Sequence, residues 1–231
     1  MGIKRLIKYL RTIDRVWLII WLTIYGGFLI LGLIMPPAWL GTTLLKYSGI
    51  VLCLIYAIKK FPKDYLLHIA LAFTLLADTI LALGNLDLYV YGVFVFCFAQ
   101  FFHFTRLVSI NRPHTKNFIF YFLIVVLTFF AGVFIVHIPA MYVICFIYAV
   151  TLIFNIFLAY RWHHHNHSVP ATCAWYGFLL FILCDTCVAF SYLSHTGTLI
   201  AFIGPIADYL DWAFYYPSQI LISNSSKSML Q

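Results

Sequence analysis

The stretch from Ala171 to Leu193 reads ATCAWYGFLLFILCDTCVAFSYL and contains a single charged residue, Asp185. An α-helix needs about 20 predominantly apolar residues to cross a bilayer core, so this stretch predicts a membrane-spanning helix. A carboxylate at the centre of such a helix costs about 2.5 to 3.5 kcal/mol on insertion scales. Residues of this kind are candidates for a functional site, because they usually face a bundle interior or a water-filled cavity.

The rest of the chain repeats this pattern. Hydrophobic residues make up 64% of the sequence and charged residues 9%, whereas a soluble domain carries about 25% charged residues. We therefore predict an all-α, polytopic integral membrane protein without a soluble domain. A basic N-terminal segment (1–15) precedes a transmembrane domain (16–222), and a short tail (223–231) follows it. The eight predicted spans are 16–35, 40–58, 65–84, 89–108, 117–136, 139–160, 171–193 and 198–222.

The positive charges predict the orientation of these spans. Apart from Lys46, every Lys and Arg is assigned to a position before the first span, after the last, or in a loop on the same side as both termini. This assignment counts Arg106, near the end of the fourth span, with the loop that holds Arg112 and Lys116. The positive-inside rule therefore places both termini in the cytoplasm and favours an even number of spans. The net charge of +7 is then explained by basic residues that orient the spans and contact anionic lipid. It is not taken as a sign of nucleic-acid binding. We expect the plasma or inner membrane in a prokaryote, or the endoplasmic reticulum in a eukaryote.

Four of the seven acidic residues, Asp78, Asp185, Asp208 and Asp211, lie inside predicted spans. A rise of 1.5 Å per residue places Asp78 and Asp185 at a similar depth, about 20 Å from the cytoplasmic boundary. By the same count Lys46, Asp208 and Asp211 share that layer of the membrane. A short internal echo, in which FTLLADTILA (73–82) aligns with LFILCDTCVA (180–189), suggests two four-helix halves with their site at the interface.

Other polar side chains follow helical spacing, because steps of three and four residues place them on one face of a helix. The predicted faces are Asp208, Asp211, Tyr215 and Gln219 on helix 8, Gly92, Phe96, Gln100 and His103 on helix 4, and Tyr148, Thr151 and Asn155 on helix 6. Such faces predict a bundle with a polar interior. The structural alternative is that Asp78 and Asp185 only lock helix 3 to helix 7, with Lys46 between them.

The cysteines and histidines point to no cofactor. We expect the six cysteines to be free thiols, because all of them fall within predicted helices and buried thiols behave as small apolar groups. The run from His163 to His167 is interpreted as a solvated turn, since neighbouring imidazoles do not converge well on one ion. We therefore predict no metal and no other cofactor.

Several motifs appear in an order that resembles the YhhN-like family of eight-helix membrane proteins, which includes lysoplasmalogenases. The resemblance runs from about Lys46 to Ile222. Its motifs are Lys46, LAFTLLAD (71–78), Gly92 and Phe96 with His103, GFLLFILCD (177–185) and YYPSQILI (215–222). The chain departs from the family pattern at Tyr47, Ala77, Cys184 and Ser218, where Pro, Gly, Ser and Ala are usual.

The resemblance implies hydrolysis of the vinyl-ether bond of a lysoplasmalogen, which releases a fatty aldehyde and a glycerophosphoethanolamine or glycerophosphocholine. Asp78 and Asp185 are then the expected catalytic pair, dividing acid and base roles. The lysophospholipid phosphate is expected on Lys46 and its ammonium near Asp208 or Asp211. Cation–π contacts and polar contacts are expected from Trp212, Tyr215, Tyr216, His103 and Gln219.

Two other functions stay open at this level. A transporter or binding protein for a lysolipid or another small amphiphile also suits intramembrane charges. A metal-dependent hydrolase of the seven-helix type would need a histidine cluster, for which only His68 and His103 are available. A measurement of metal content in the purified protein would identify the metal-dependent hydrolase. Uptake of a lysolipid into proteoliposomes without product formation would identify the transporter. The oligomeric state is not predicted.

Overall fold

The structure, a computed structural model, describes residues 15–34, 40–83, 88–111, 115–135, 137–195 and 202–226. These residues form eight α-helices and a π-helical turn, Ala131–Ile135, that continues the fifth helix. The helices are α1 (Arg15–Ile34), α2 (Leu40–Lys60), α3 (Tyr65–Leu83), α4 (Tyr89–Asn111), α5 (Thr115–Phe130), α6 (Ala140–Asn166), α7 (Val169–His195) and α8 (Ile203–Ser223).

Most helices begin and end within three residues of the predicted spans. The main correction concerns α6, which was predicted to end at 160 and continues to Asn166 through most of the histidine run. It ends where His167 adopts a left-handed conformation (φ 45°) and donates its N–H to the carbonyl of His163, a common helix end. The predicted start of the last span, 198–201, falls outside the described residues.

Four of the eight helices are individually long and apolar enough to cross a membrane, and together they support an integral membrane protein. They are α1, α4, α6 and most of α7. The others are shorter or carry charges, such as Lys59 and Lys60 in α2 and the two carboxylates of α8. Eight full spans with cytoplasmic termini stay a prediction.

A glycine allows close packing between α7 and α8. A Cβ atom on Gly177 would come within 2.8 Å of the Ile222 side chain and 3.2 Å of the Ile222 backbone nitrogen. Small residues permit such an approach between membrane helices. The approach brings the polar residues of α8 against α7.

One end of the bundle is fastened by a buried ion pair. The Arg106 Nε atom donates to Asp64 Oδ2 at 3.2 Å, and the guanidinium also donates to the Ser225 hydroxyl at 3.1 Å and to the Ser225 carbonyl. Ser226 donates to the same Asp64 oxygen at 2.7 Å. These contacts place the α2–α3 turn and the ends of α4 and α8 at one end of the bundle, as the predicted topology requires.

The sequence-based assignment of Arg106 to a loop was wrong, because this residue lies within α4 and is buried. Burial acts to raise the pKa of the Asp64 carboxyl, but the Arg106 charge and the hydrogen bond from Ser226 hold that pKa below its usual range. Residues Ser223 to Ser226 are also buried, so the described part of the predicted tail is packed into the protein.

Candidate functional site

A cavity of about 830 Å³ lies between α3, α4, α6, α7 and α8. Its volume is within the range of about 300 to 1,000 Å³ that is usual for small-molecule sites. Most of its lining is aliphatic or aromatic, and three carboxylates, those of Asp78, Asp185 and Asp211, also line it. Among the described residues that line the cavity there is no Lys or Arg.

Each of two carboxylates is held by a tyrosine from a different helix. Tyr215 of α8 donates its hydroxyl to Asp78 Oδ2 of α3 at 2.6 Å. Tyr148 of α6 donates its hydroxyl to Asp185 Oδ2 of α7 at 2.8 Å. Each hydrogen bond fixes one carboxylate oxygen and leaves the Oδ1 atom out of this contact. Asp78 is 7% exposed, whereas Asp185 is only partly buried.

The third carboxylate belongs to a group on α8. Asp211 and Trp212 line the cavity together with Tyr215. The rings of Trp212 and Tyr215 meet edge to face, with centroids 5.2 Å apart. Aromatic faces beside a carboxylate are suited to an organic cation, because both the ring quadrupole and the negative charge attract it.

Tyrosines line the end of the cavity that lies at the helix termini. Tyr89, at the start of α4, stacks on Tyr192, near the end of α7, with ring centroids 6.3 Å apart. Tyr142, near the start of α6, lines the same cavity. We call these three residues the tyrosine end of the cavity. The opposite end is lined by apolar residues, among them Leu152, Ile153, Phe181 and Ile182.

The structure brings five of the predicted site residues to this cavity, namely Asp78, Asp185, Asp211, Trp212 and Tyr215. Four others lie elsewhere, and their substrate contacts stay predictions. Asp208 accepts a hydrogen bond from Ser191 between α7 and α8. Tyr216 is buried against Tyr25, with stacked rings 5.5 Å apart. Gln219 is buried outside the cavity lining.

His103 is the fourth predicted site residue that lies outside the cavity. It is buried, and its ring meets that of Phe178 edge to face with centroids 5.4 Å apart. The Lys46 side chain lies outside the described residues, although α2 includes this position. Its neighbour Tyr47 hydrogen-bonds Thr79 at 2.8 Å. The backbone of α2 therefore passes beside α3 at the level of Asp78, as the depth count predicts.

The predicted polar faces of α4 and α6 meet. Asn155 of α6 donates to Gln100 of α4, at 2.8 Å to Oε1 and 3.0 Å to the backbone carbonyl. Both residues are fully buried. This contact is a structural link between helices rather than part of the cavity wall.

Tyr148 was missed as a site residue. Its signal was present, because it shares a predicted polar face of α6 with Thr151 and Asn155. Helical spacing identifies such a face but not the residue on another helix that it contacts. The hydrogen bond to Asp185 depends on how α6 and α7 pack.

One comparison with known proteins matches the chain. The model of the YhhN family matches residues 41–226, a range that includes every carboxylate and tyrosine of the cavity. No curated protein matches the chain, and no solved structure does. Because the family model spans most of its length, the chain belongs to the YhhN family.

Proposed function

We propose that this protein hydrolyses the vinyl-ether bond of lysoplasmalogens by carboxylate acid–base catalysis. The observation that carries the proposal is that Asp78 and Asp185 line one cavity, each held by a tyrosine from another helix. The YhhN family includes lysoplasmalogenases, which supports the reaction class. Vinyl-ether hydrolysis needs one proton donor, one proton acceptor and limited water, and two carboxyl groups in a largely apolar cavity support such a reaction.

The two carboxyl groups divide the reaction. One of them, protonated, gives its proton to the alkene carbon that is not bonded to oxygen, and the π electrons form the new C–H bond. The resulting oxocarbenium ion is stabilised by the second group, which is an ionised carboxylate at this step. The second carboxylate takes a proton from water as the water oxygen bonds to the cationic carbon. The product of this step is a hemiacetal.

The hemiacetal then collapses and resets both groups. The second carboxyl returns its proton to the glycerol oxygen as the C–O bond breaks. The first carboxylate takes the proton of the hemiacetal hydroxyl as the aldehyde forms. One water is consumed, and a fatty aldehyde and a glycerophospho-compound are released. General acid–base assistance of this kind is typically worth about 10² to 10⁴ in rate.

The charged groups of the lysolipid headgroup are proposed to bind side chains of opposite charge. Ethanolamine and choline lysolipids carry a cationic ammonium group, which suits a cavity lined by Asp211 together with the aromatic rings of Trp212 and Tyr215. The phosphate requires a cation, and Lys46 of α2 remains the proposed partner because the backbone of α2 passes at the level of Asp78.

The proposal is tested with the purified chain in lipid nanodiscs. Lysoplasmenyl-ethanolamine and lysoplasmenyl-choline are supplied, with and without a chelator, and fatty aldehyde is measured. We expect aldehyde in equal amount to the glycerophospho-product, with no effect of the chelator. Retention of intact lysolipid by a well-folded protein, without aldehyde, would instead favour transport or binding.

The tyrosines are expected to position the carboxylates. Replacing Tyr148 or Tyr215 by Phe removes a hydrogen bond to an acid, and bonds to charged groups are worth about 1.5 to 3 kcal/mol. We expect kcat to fall about 10- to 100-fold while KM changes little. Steady-state kinetics of aldehyde release measure both parameters. Tyr160→Phe, an exposed tyrosine of α6 outside the cavity, is the matched control, and an equal loss there would contradict the assignment.

A further inference from the structure

The cavity opens sideways. Seven of the residues that line it are also exposed, and all seven belong to α6 and α7: Tyr142, Ala149, Ile153, Thr186, Ala189, Tyr192 and Leu193. The described lining residues from α3, α4 and α8 are buried or half-buried. The mouth is therefore a slit between α6 and α7 on the outside of the bundle, where a membrane-embedded protein contacts lipid.

The two helices that form the slit are joined at its far end. A two-residue connection, His167 and Ser168, links α6 to α7. Beside this connection the Thr172 hydroxyl and the His163 Nδ1 atom form a hydrogen bond of 3.1 Å. The exposed lining residues lie towards the other ends of the helices. The slit consequently begins at the tyrosine end of the cavity and runs inward as far as Ile153.

The depth of the cavity can be compared with a lipid tail. Asp185 lies seven residues from Tyr192 along α7, which is about 10 Å at 1.5 Å per residue. Phe181, at the apolar end, lies only four residues beyond Asp185, or about 6 Å. One leaflet of hydrocarbon is about 15 Å thick. A full-length tail that starts at the carboxylates is therefore too long for the enclosed space.

We propose that the slit between α6 and α7 admits a single-chain lipid from the bilayer, with the headgroup between the carboxylates and the tyrosine end and the distal tail left in the membrane. The proposal rests on the proposed function for the identity of the lipid. The composition of the slit suits a lipid tail, because its seven exposed lining residues are apolar or small except for two tyrosines and one threonine. Tyrosines of this kind favour the membrane interface, where a lysolipid headgroup resides.

The first test measures binding without chemistry. A lysophosphocholine with a saturated ether bond and a photoreactive group in mid-chain is incorporated into nanodiscs with the protein and irradiated. We expect labelled peptides from both α6 and α7, with the labelling of α6 centred on Ala149 and Ile153. Labelling confined to other helices would overturn the slit. Because the saturated ether is not a substrate, this result is independent of the hydrolytic activity.

The second test measures tail dependence. Ile153→Trp places an indole in the inner part of the slit, and Ile69→Trp makes the same change at an exposed position of α3 outside the cavity. The readout is kcat/KM for a long-chain lysoplasmalogen divided by that for one whose chain ends within the cavity. Loss of contact with about two methylenes corresponds to about tenfold, and we expect this ratio to fall at least so far in Ile153→Trp.

The outcomes separate the two proposals. An unchanged ratio in Ile153→Trp, or an equal fall in Ile69→Trp, would overturn the slit even if the wild type releases aldehyde. Labelling at the slit without aldehyde release would leave the slit in place and reject the hydrolase. The wild type should also accept chains of increasing length without a cut-off, whereas a closed cavity would impose one.

Discussion

Asp78→Asn and Asp185→Asn are each expected to lower aldehyde release by about 10² to 10⁴, the usual contribution of general acid–base catalysis. The substitution keeps the shape of the side chain and a hydrogen-bond acceptor for the tyrosine hydroxyl. It removes the group that gives or takes the proton. The measurement is kcat for fatty aldehyde formation from a lysoplasmalogen in nanodiscs.

The control is Thr151→Val, which changes a buried polar residue of α6 one turn from Tyr148 and outside the cavity lining. We expect its kcat to stay within a few-fold of wild type. Labelling by the saturated ether lysolipid should be retained in both Asp variants, since binding does not need the proton transfer. Aldehyde release near the wild-type rate in either Asp variant would show that the carboxyl group is structural.

Asp64→Asn is expected to destabilise the protein by about 3 to 5 kcal/mol, because it leaves a buried guanidinium without its counter-charge. The amide retains an oxygen for the Leu67 N–H, which donates to Asp64 Oδ1 at 3.3 Å. Arg106→Met should cost less, since Asp64 is 14% exposed and the arginine 2%. Equilibrium unfolding in mixed micelles measures both.

A double variant decides whether the effect belongs to the ion pair. The double variant Asp64→Asn with Arg106→Met should lose less unfolding free energy than the sum of the losses in the two single variants. The reason is that the double variant removes both charges, so no unpaired charge stays buried. Lys63→Met, at an exposed neighbour in the same turn, should change stability by no more than about 0.5 kcal/mol. Strict additivity of the two single changes would contradict the coupling.

The sequence predicts the helices well because apolar length and charge placement are local properties. The depth of Asp78 and Asp185 is predicted for the same reason, since rise per residue is constant. Both residues line the same cavity. Direction around a helix is predicted less well. Asp208 and Asp211 share a stripe of α8, yet only Asp211 lines the cavity, while Asp208 accepts a hydrogen bond from Ser191.

Partners on other helices could not be predicted, because they depend on packing. Tyr148 lies on a recognisable polar face, but its contact with Asp185 requires the arrangement of α6 against α7. Arg106 was misplaced for a different reason. Positive charges near span ends are usually interpreted as loop residues, and nothing local indicates that a carboxylate 42 residues earlier and a serine 119 residues later surround this one.

The contacts of Arg106 also have a consequence for biosynthesis. Its serine partner follows it by 119 residues, which at about 5 to 20 residues per second takes the ribosome roughly 6 to 24 s. During that interval the guanidinium lacks the oxygens of Ser225. The bundle is completed only when the end of α8 arrives, so chains terminated before Ser225 are expected to be substrates for membrane quality-control proteases.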